Sequence, residues 1–387
     1  MWHGRRVALR DLELESKTTL RSQRPGRAGR SPSARLTVLC AAAVVTALTA
    51  AAAAQSATTQ RLESPRLAEI SRAGGPIPDT LLQTAPTSAL APNGFWGGEY
   101  HTSSGENVTV YASNSYPVDP ALGQRWADFL ATLQHGSELS SVTLLLAPPL
   151  QITRFCGWEA LACYSAEGSL LYAPGEDPSS DFSAEAVVTH EYGHHVAAHR
   201  SNAPWRAIDW GPKRWASSMQ VCAKARIGQL IPGAEDSLQY ELNPGEGWAE
   251  TYRVLNERRL GVPEPPWEIV SQSLYPTDAA LAAAEQDVTT AWQTETTSVR
   301  TAALSRTTRT RRYTFATPLD GMLKVTLRPS AGLRAALDVY AGSARVTHAV
   351  SARAFSRTST ICGARSYTIR VTEVGGKGSF RLTVAKP

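Results

Sequence analysis

The sequence has no CxxC pair, so a four-cysteine zinc site lacks its usual framework here. It has no internal repeat and no heptad pattern, which removes solenoids and coiled coils. Excess charge is also missing from most of the chain. The formal net charge of +5 invites a nucleic-acid or anionic-membrane reading, but nine basic and three acidic side chains fall in residues 1–57. Residues 58–387 then hold 30 basic against 31 acidic, so no nucleic-acid partner is expected. The composition is not that of a disordered chain. With 42% hydrophobic residues and ten tryptophans, read as core, a sizeable interior can be buried. At 387 residues the chain exceeds the usual compact domain, which implies two folded units behind a leader.

Residues 1–57 read as a signal peptide or N-terminal anchor. A basic stretch (Arg21, Arg24, Arg27, Arg30, Arg35) precedes the apolar run Leu36 to Ala54, and cleavage is expected after Ala54 or Ala57. The protein is therefore expected to be secreted. The alternative is a membrane anchor by residues 36–54 if the segment stays uncleaved. Loss of the leader removes Cys40 and leaves Cys156, Cys163, Cys222 and Cys362, an even set that implies disulfides in an exported chain. A short loop closes most readily, which favours Cys156 with Cys163 and leaves Cys222 with Cys362. Residues 58–93, rich in Pro, Ser, Thr and Ala, read as a linker or pro-segment.

Residues 94–300 carry strands and then helices. Glu106 to Ser113 alternates as a strand, Asp119 is an N-cap candidate for a helix with apolar spacing at Leu122, Trp126, Phe129 and Leu133, and SVTLLLAP and SLLYAPG are further strands. A long helix follows, with Ser179 or Ser180 as N-cap candidates. From Trp205 to about Trp292 the pattern is helical, with no convincing strand. Short alternating runs then fill residues 305–387. The expected fold class is α+β: a mixed sheet plus the long helix, then a helical lobe, with a cleft between, followed by a small all-β sandwich. The sandwich contains only His348 as a candidate for chemistry, and the Arg309, Arg311, Arg312 cluster reads as a solvated strand edge.

The chemistry sits in His190-Glu191-Tyr192-Gly193-His194. Residues four apart share a helix face, so His190 and His194 converge on one metal while Glu191 lies beside the open position as a general base. Zinc suits neutral imidazoles, and this makes Zn2+ the expected cofactor. His195 and His199 are also four apart, but they lie round the helix and read as supporting or surface residues. A metzincin would need Gly at 197 and His at 200, where this chain has Ala197 and Arg200. About fifty residues downstream, Asn243 and Pro244 start a helix on which Glu246 and Glu250 share a face. One carboxylate can bind the metal while the other accepts from a ligand histidine.

HEYGH followed by ExxAE resembles the gluzincin zinc metallopeptidases. HEYGHHV with EGWAETYRVL is similar to the catalytic domain of the anthrax lethal factor group and of secreted bacterial peptidases. The resemblance spans roughly Tyr172 to Leu255. It implies a zincin-like two-lobed domain, Glu246 as third ligand, Glu250 as the carboxylate behind a histidine, and Tyr240 as a catalytic oxyanion stabiliser, with Glu241 the weaker ligand candidate. It further implies hydrolysis of a protein or peptide substrate, and SLLYAPG is the expected edge strand for an extended peptide. The sandwich resembles accessory domains after secreted bacterial peptidase units, and its partner is left open. Two other expectations stand beside this one: a non-catalytic zinc-containing binding protein, and a zinc hydrolase of a non-peptide amide such as cell wall.

Overall fold

The computed structural model describes residues 91–157, 160–234, 239–267, 270–363 and 366–387, and the expected leader and residues 58–90 of the linker lie outside these. All described residues belong to one compact unit of mixed α+β structure. Its first layer is a five-stranded sheet of β1 (Phe95–His101), β2 (Asn107–Ser113), β3 (Thr143–Ala147), β4 (Cys163–Ser165) and β5 (Leu170–Pro174). The spatial order is β1-β2-β3-β5-β4, with β2, β3 and β5 parallel and both edge strands antiparallel. Leu144 and Leu146 of β3 enter the main core, and Leu145 and Ala147 enter a second cluster on the other face. A strand buried on both sides must be apolar throughout, which explains the run TLLLA.

Helices α1 (Pro120–Thr132), capped by Asp119, and α2 (Pro149–Cys156) connect these strands. The expected edge strand SLLYAPG is instead interior. Its β5 residues are buried and pair with β3 throughout, while the three-residue β4 pairs with Leu170, Leu171 and Tyr172 on the other side and takes the edge. A disulfide between Cys156 and Cys163, with Cα atoms 5.6 Å apart, ties β4 to the end of α2.

The long helix is α3 (Ala184–Ala198). Its cap is Ser183, whose Oγ accepts from Ala186 N, while Asp177 accepts from Ala184 N. Ser179 instead accepts from the amides of Asp181 and Phe182, in the turn before the helix, and so is not the cap. α3 is buried nearly all round, with β5 on one side and α7 (Pro244–Leu260) on the other. Between them lie the small hairpin β6 (Ser201–Asn202) and β7 (Trp205–Arg206), which the sequence did not announce, and α4 (Ala207–Trp210), α5 (Lys213–Ser218) and α6 (Val221–Arg226). α8 (Asp278–Thr289) closes the helical part. Trp126, Trp205, Trp210, Trp215 and Trp248 are buried, as core tryptophans should be.

Strands β8 (Thr296–Leu304), β9 (Thr310–Ala316), β10 (Gly321–Pro329), β11 (Leu333–Ala341), β12 (Ala344–Ser351), β13 (Phe355–Ile361), β14 (Ser366–Gly376) and β15 (Gly378–Lys386) form two antiparallel sheets, ordered β13-β10-β15-β8 and β12-β11-β14-β9. Alternate residues such as Leu323, Val325, Leu327, Ile369, Val371, Leu382 and Val384 face inward and make a separate core. The join to the helical part is polar and covalent. Buried Lys213 donates to the carbonyls of Ala203 (2.6 Å) and Asp320 (3.0 Å), and its ammonium lies 4.6 Å from the Trp292 ring centre. Cys222 bonds Cys362, with Cα atoms 5.4 Å apart. Among the described residues no helix is long and apolar enough to cross a membrane.

The helix crossing and the two bridges each yield a test. At Gly193 a Cβ would lie 2.9 Å from Ala249 Cα and 3.1 Å from Tyr252 Cβ, so α3 and α7 meet at a distance that only glycine permits. Alanine there gains about 1 kcal/mol of helix propensity but overpacks against backbone at a cost of about 1–3 kcal/mol. Gly193→Ala should therefore lower the midpoint in chemical denaturation; an unchanged or raised midpoint would show that the crossing relaxes. The loop closed by Cys222–Cys362 spans 140 residues against 7 for Cys156–Cys163. Chain entropy assigns these roughly 5 and 2 kcal/mol. Serine at both ends of the longer bridge should cost more stability than serine at both ends of the shorter one, as read by denaturant unfolding.

Candidate metal centre

α7 carries the charge that the site uses. Asn243 accepts from Gly245 N at the cap, Pro244 opens the helix, and Glu246 stands in the first turn, where the helix dipole favours an anion. Glu246, Glu250, Arg253 and Glu257 follow at helical spacing, and all four are buried. Buried charge on this scale is costly unless each group is paired. The pairing runs in two directions from Glu250.

Towards α3, His190 Nδ1 donates to Glu250 Oε1 at 2.8 Å, which turns Nε2 inward. Nε2 of His190 and Nε2 of His194 each lie 3.2 Å from the same oxygen, Glu246 Oε2. Tyr240 donates to that oxygen from the other side at 2.6 Å. Away from α3, Arg253 binds Glu250 Oε2 at 2.5 Å and Glu257 at 2.7 Å. Burial opposes a charge on His190, but Glu246 and Glu250 outweigh it and push the imidazole pKa up to about 10. Burial would raise Glu246 and Glu250, yet the imidazoles hold Glu246 far below the usual carboxylate range, and His190 with Arg253 brings Glu250 down to about 2. Burial and the neighbouring carboxylates drive the Tyr240 phenol well above its ordinary value, so it stays a donor.

The structure thus brings together His190, His194 and Glu246, whose nearest ligand atoms all lie within 4.8 Å of one another. Two imidazole nitrogens and one carboxylate oxygen, deep in the protein, are a donor set that could bind a metal ion. A divalent cation at their common point would meet the positive-charge demand of the carboxylates with both imidazoles neutral. The site residues fit such an ion. Glu191, buried next to His190 on α3, lies within electrostatic reach of that ring. Glu241 is exposed in the short 3-10 turn Tyr240–Leu242 and does not join the group.

His195 is not a surface residue. It is fully buried, donating from Nε2 to the Glu138 carbonyl at 2.9 Å and accepting at Nδ1 from Tyr164 of β4 at 3.1 Å. Burial lowers its pKa to about 4. It fastens the edge strand to α3, while His199 donates back to the His195 carbonyl. Sequence reasoning missed Arg253 and Glu257, although the spacing Glu246, Glu250, Arg253, Glu257 was the available signal. It also missed Trp248, whose indole donates to the Gly193 carbonyl at 2.7 Å.

No protein-family model and no curated protein sequence matches the chain. Among solved structures it is similar to the pre-peptidase C-terminal domain of a collagenase from Bacillus anthracis, at 13% identity and a TM-score of 0.21, over 22% of this chain and 87% of that one. It is also similar to a mitogen from Yersinia pseudotuberculosis, at 8% identity and 0.20, over 24% and 87%. A third likeness is to PliG, a periplasmic inhibitor of g-type lysozyme from Aeromonas hydrophila, at 15% and 0.18, over 24% and 86%. Likenesses at these scores bear on neither fold nor function.

The two carboxylates of α7 are separable by their partners. Glu246→Ala should purify largely metal-free, because it removes a donor and a charge from the common point. Glu250→Ala should retain metal at about 10–100-fold weaker affinity, because it only loosens His190. Metal analysis of the two variants side by side, with circular dichroism as a folding control, checks this; a metal-free Glu250→Ala with a loaded Glu246→Ala would exchange the assignments.

Proposed function

We infer that the protein is an exported zinc-dependent peptidase of gluzincin type, with His190, His194 and Glu246 holding the zinc. The observation that carries this reading is the convergence of both Nε2 atoms on Glu246 Oε2, 3.2 Å from each, with a carboxylate adjoining His190 in the same helix turn. Zinc bound there would supply Lewis acidity, polarising a scissile carbonyl and easing deprotonation of water. The chain's own groups supply the rest.

Glu191 takes the proton of the attacking water and passes it to the departing amine, a task for a carboxylate held near the reaction and shielded from bulk solvent. Its burial beside His190 suits that task. Tyr240, kept protonated by its surroundings, turns its hydroxyl from Glu246 towards the oxyanion that forms on the substrate. Glu250 holds the His190 ring in one orientation through Nδ1, and Arg253 holds Glu250. The antiparallel edge strand β4 is the sheet's open edge beside α3, where an extended peptide could add as a further strand. A non-catalytic binding protein would have no use for a base at 191, so the peptidase reading is preferred to that alternative.

Glu191→Gln keeps size and hydrogen bonding but cannot accept the proton. It should retain fold and zinc while cleavage of a mixed peptide library falls by about 10²–10⁴-fold. Zinc content and cleavage measured on the same preparation check this; activity equal to the parent would remove Glu191 from the mechanism.

A further inference from the structure

The near-neutral balance of residues 58–387 hides a division. Residues 58–304 hold 15 basic and 28 acidic side chains, whereas residues 305–387 hold 15 basic and only three acidic. Of the 15 cations in the second segment twelve are arginine, the side chain suited to forked recognition of oxyanions. Among the described residues, none of these cations forms a salt bridge with the acidic segment. The salt bridges of the sandwich among the described residues join Arg309 to Glu373, and Arg345, His348 and Arg370 to Asp338, all within the sandwich.

Three of these cations, Arg311, Arg312 and Arg370, line a groove of about 690 Å³ on the outer face of the sheet β12-β11-β14-β9, together with Thr310, Ala336, Asp338 and Thr372. The strand registers set His348, Asp338, Arg370 and Arg312 in one row across the four strands. Asp338 is buried in that row, with His348 Nδ1 at 2.7 Å and Arg370 Nη2 at 3.0 Å, and so fixes Arg370 in the groove floor. Arg312 then stands directly opposite Arg370, a like-charge pair that opposes association of the two strands. Arg311 and Arg312 are exposed and form none of these salt bridges. An anion seated over the row would relieve the repulsion.

We propose that this groove binds a flexible, base-free phosphodiester polymer through its backbone phosphates. Three guanidinium groups with the hydroxyls of Thr310 and Thr372 offer donors in several directions, which suits a tetrahedral oxyanion better than a planar carboxylate. None of the lining residues is aromatic, and the neighbouring Tyr340 is already engaged by Arg370, which donates to its hydroxyl and lies 5.0 Å from its ring centre, so the groove offers nucleobases no free ring to stack on. The binding stands apart from the metal centre and does not depend on the peptidase reading.

Fluorescence-detected binding of the full chain to poly(glycerol phosphate), duplex DNA and poly-glutamate tests the proposal. The glycerol phosphate polymer should bind more tightly than the other two and weaken steadily with added salt. Arg311→Glu and Arg312→Glu should each weaken it by about tenfold or more. Arg328→Glu, an equal charge change at an exposed position of β10 in the other sheet, should have far less effect. Arg312→Gln, which keeps polarity at the same exposed site, should also lose affinity and guards against misfolding of the reversal variants. Failure to bind poly(glycerol phosphate), tighter binding of duplex DNA or poly-glutamate, or an equal loss in Arg328→Glu would each overturn the proposal.

Discussion

The close crossing of α3 and α7 is the constraint on which the rest of the structure depends. Gly193 lets the backbones meet beside Ala249, and the Trp248 indole fastens the contact by donating to the Gly193 carbonyl. The same turns present His190 and His194 from one helix and Glu246 and Glu250 from the other. Donor atoms sixty residues apart in sequence reach hydrogen-bond distance only because these axes are close. The sheet, the disulfide at its edge and the His195 bridge to β4 hold α3 from the opposite side.

α7 inverts the usual logic of a buried helix. Its inward stripe is charged, and what would be a solvent-facing pattern elsewhere is here enclosed by tryptophan and tyrosine. Such a stripe persists only as a continuous series of partners, from His190 through Glu250 and Arg253 to Glu257. Burial raises Glu257, at the far end of this series, to about 7 in spite of Arg253. The series therefore shares its charge unevenly, with the anion concentrated where the imidazoles are.

Much of this was legible in the sequence for physical reasons. The four-residue spacing of His190 and His194, the Asn243-Pro244 helix start and the alternation of the sandwich strands are local rules, and the structure follows them. The even cysteine set paired as loop length suggested. What was not legible depends on tertiary context. β4 is three residues long and is a strand only because β5 lies beside it, so the interior strand was taken for the edge. The helical stretch after Lys213 breaks at Gln220, which adopts a left-handed conformation with φ of 57° and which neither Gly nor Pro marks. The charge division between residues 58–304 and 305–387 was in the composition all along, concealed by summing the two.

The bond between Cys222 and Cys362 gives the molecule two connections between its helical part and its sandwich. One is the peptide chain through exposed Gln293, Thr294 and Glu295, and the other is sulfur. Scission of the exposed chain there would leave a nicked protein with both parts still attached, migrating as one species until a reductant is added. The part that carries the His190, His194 and Glu246 group and the cationic sandwich are in this sense held as a two-chain molecule in waiting, and their separation is a question of redox environment as much as of proteolysis.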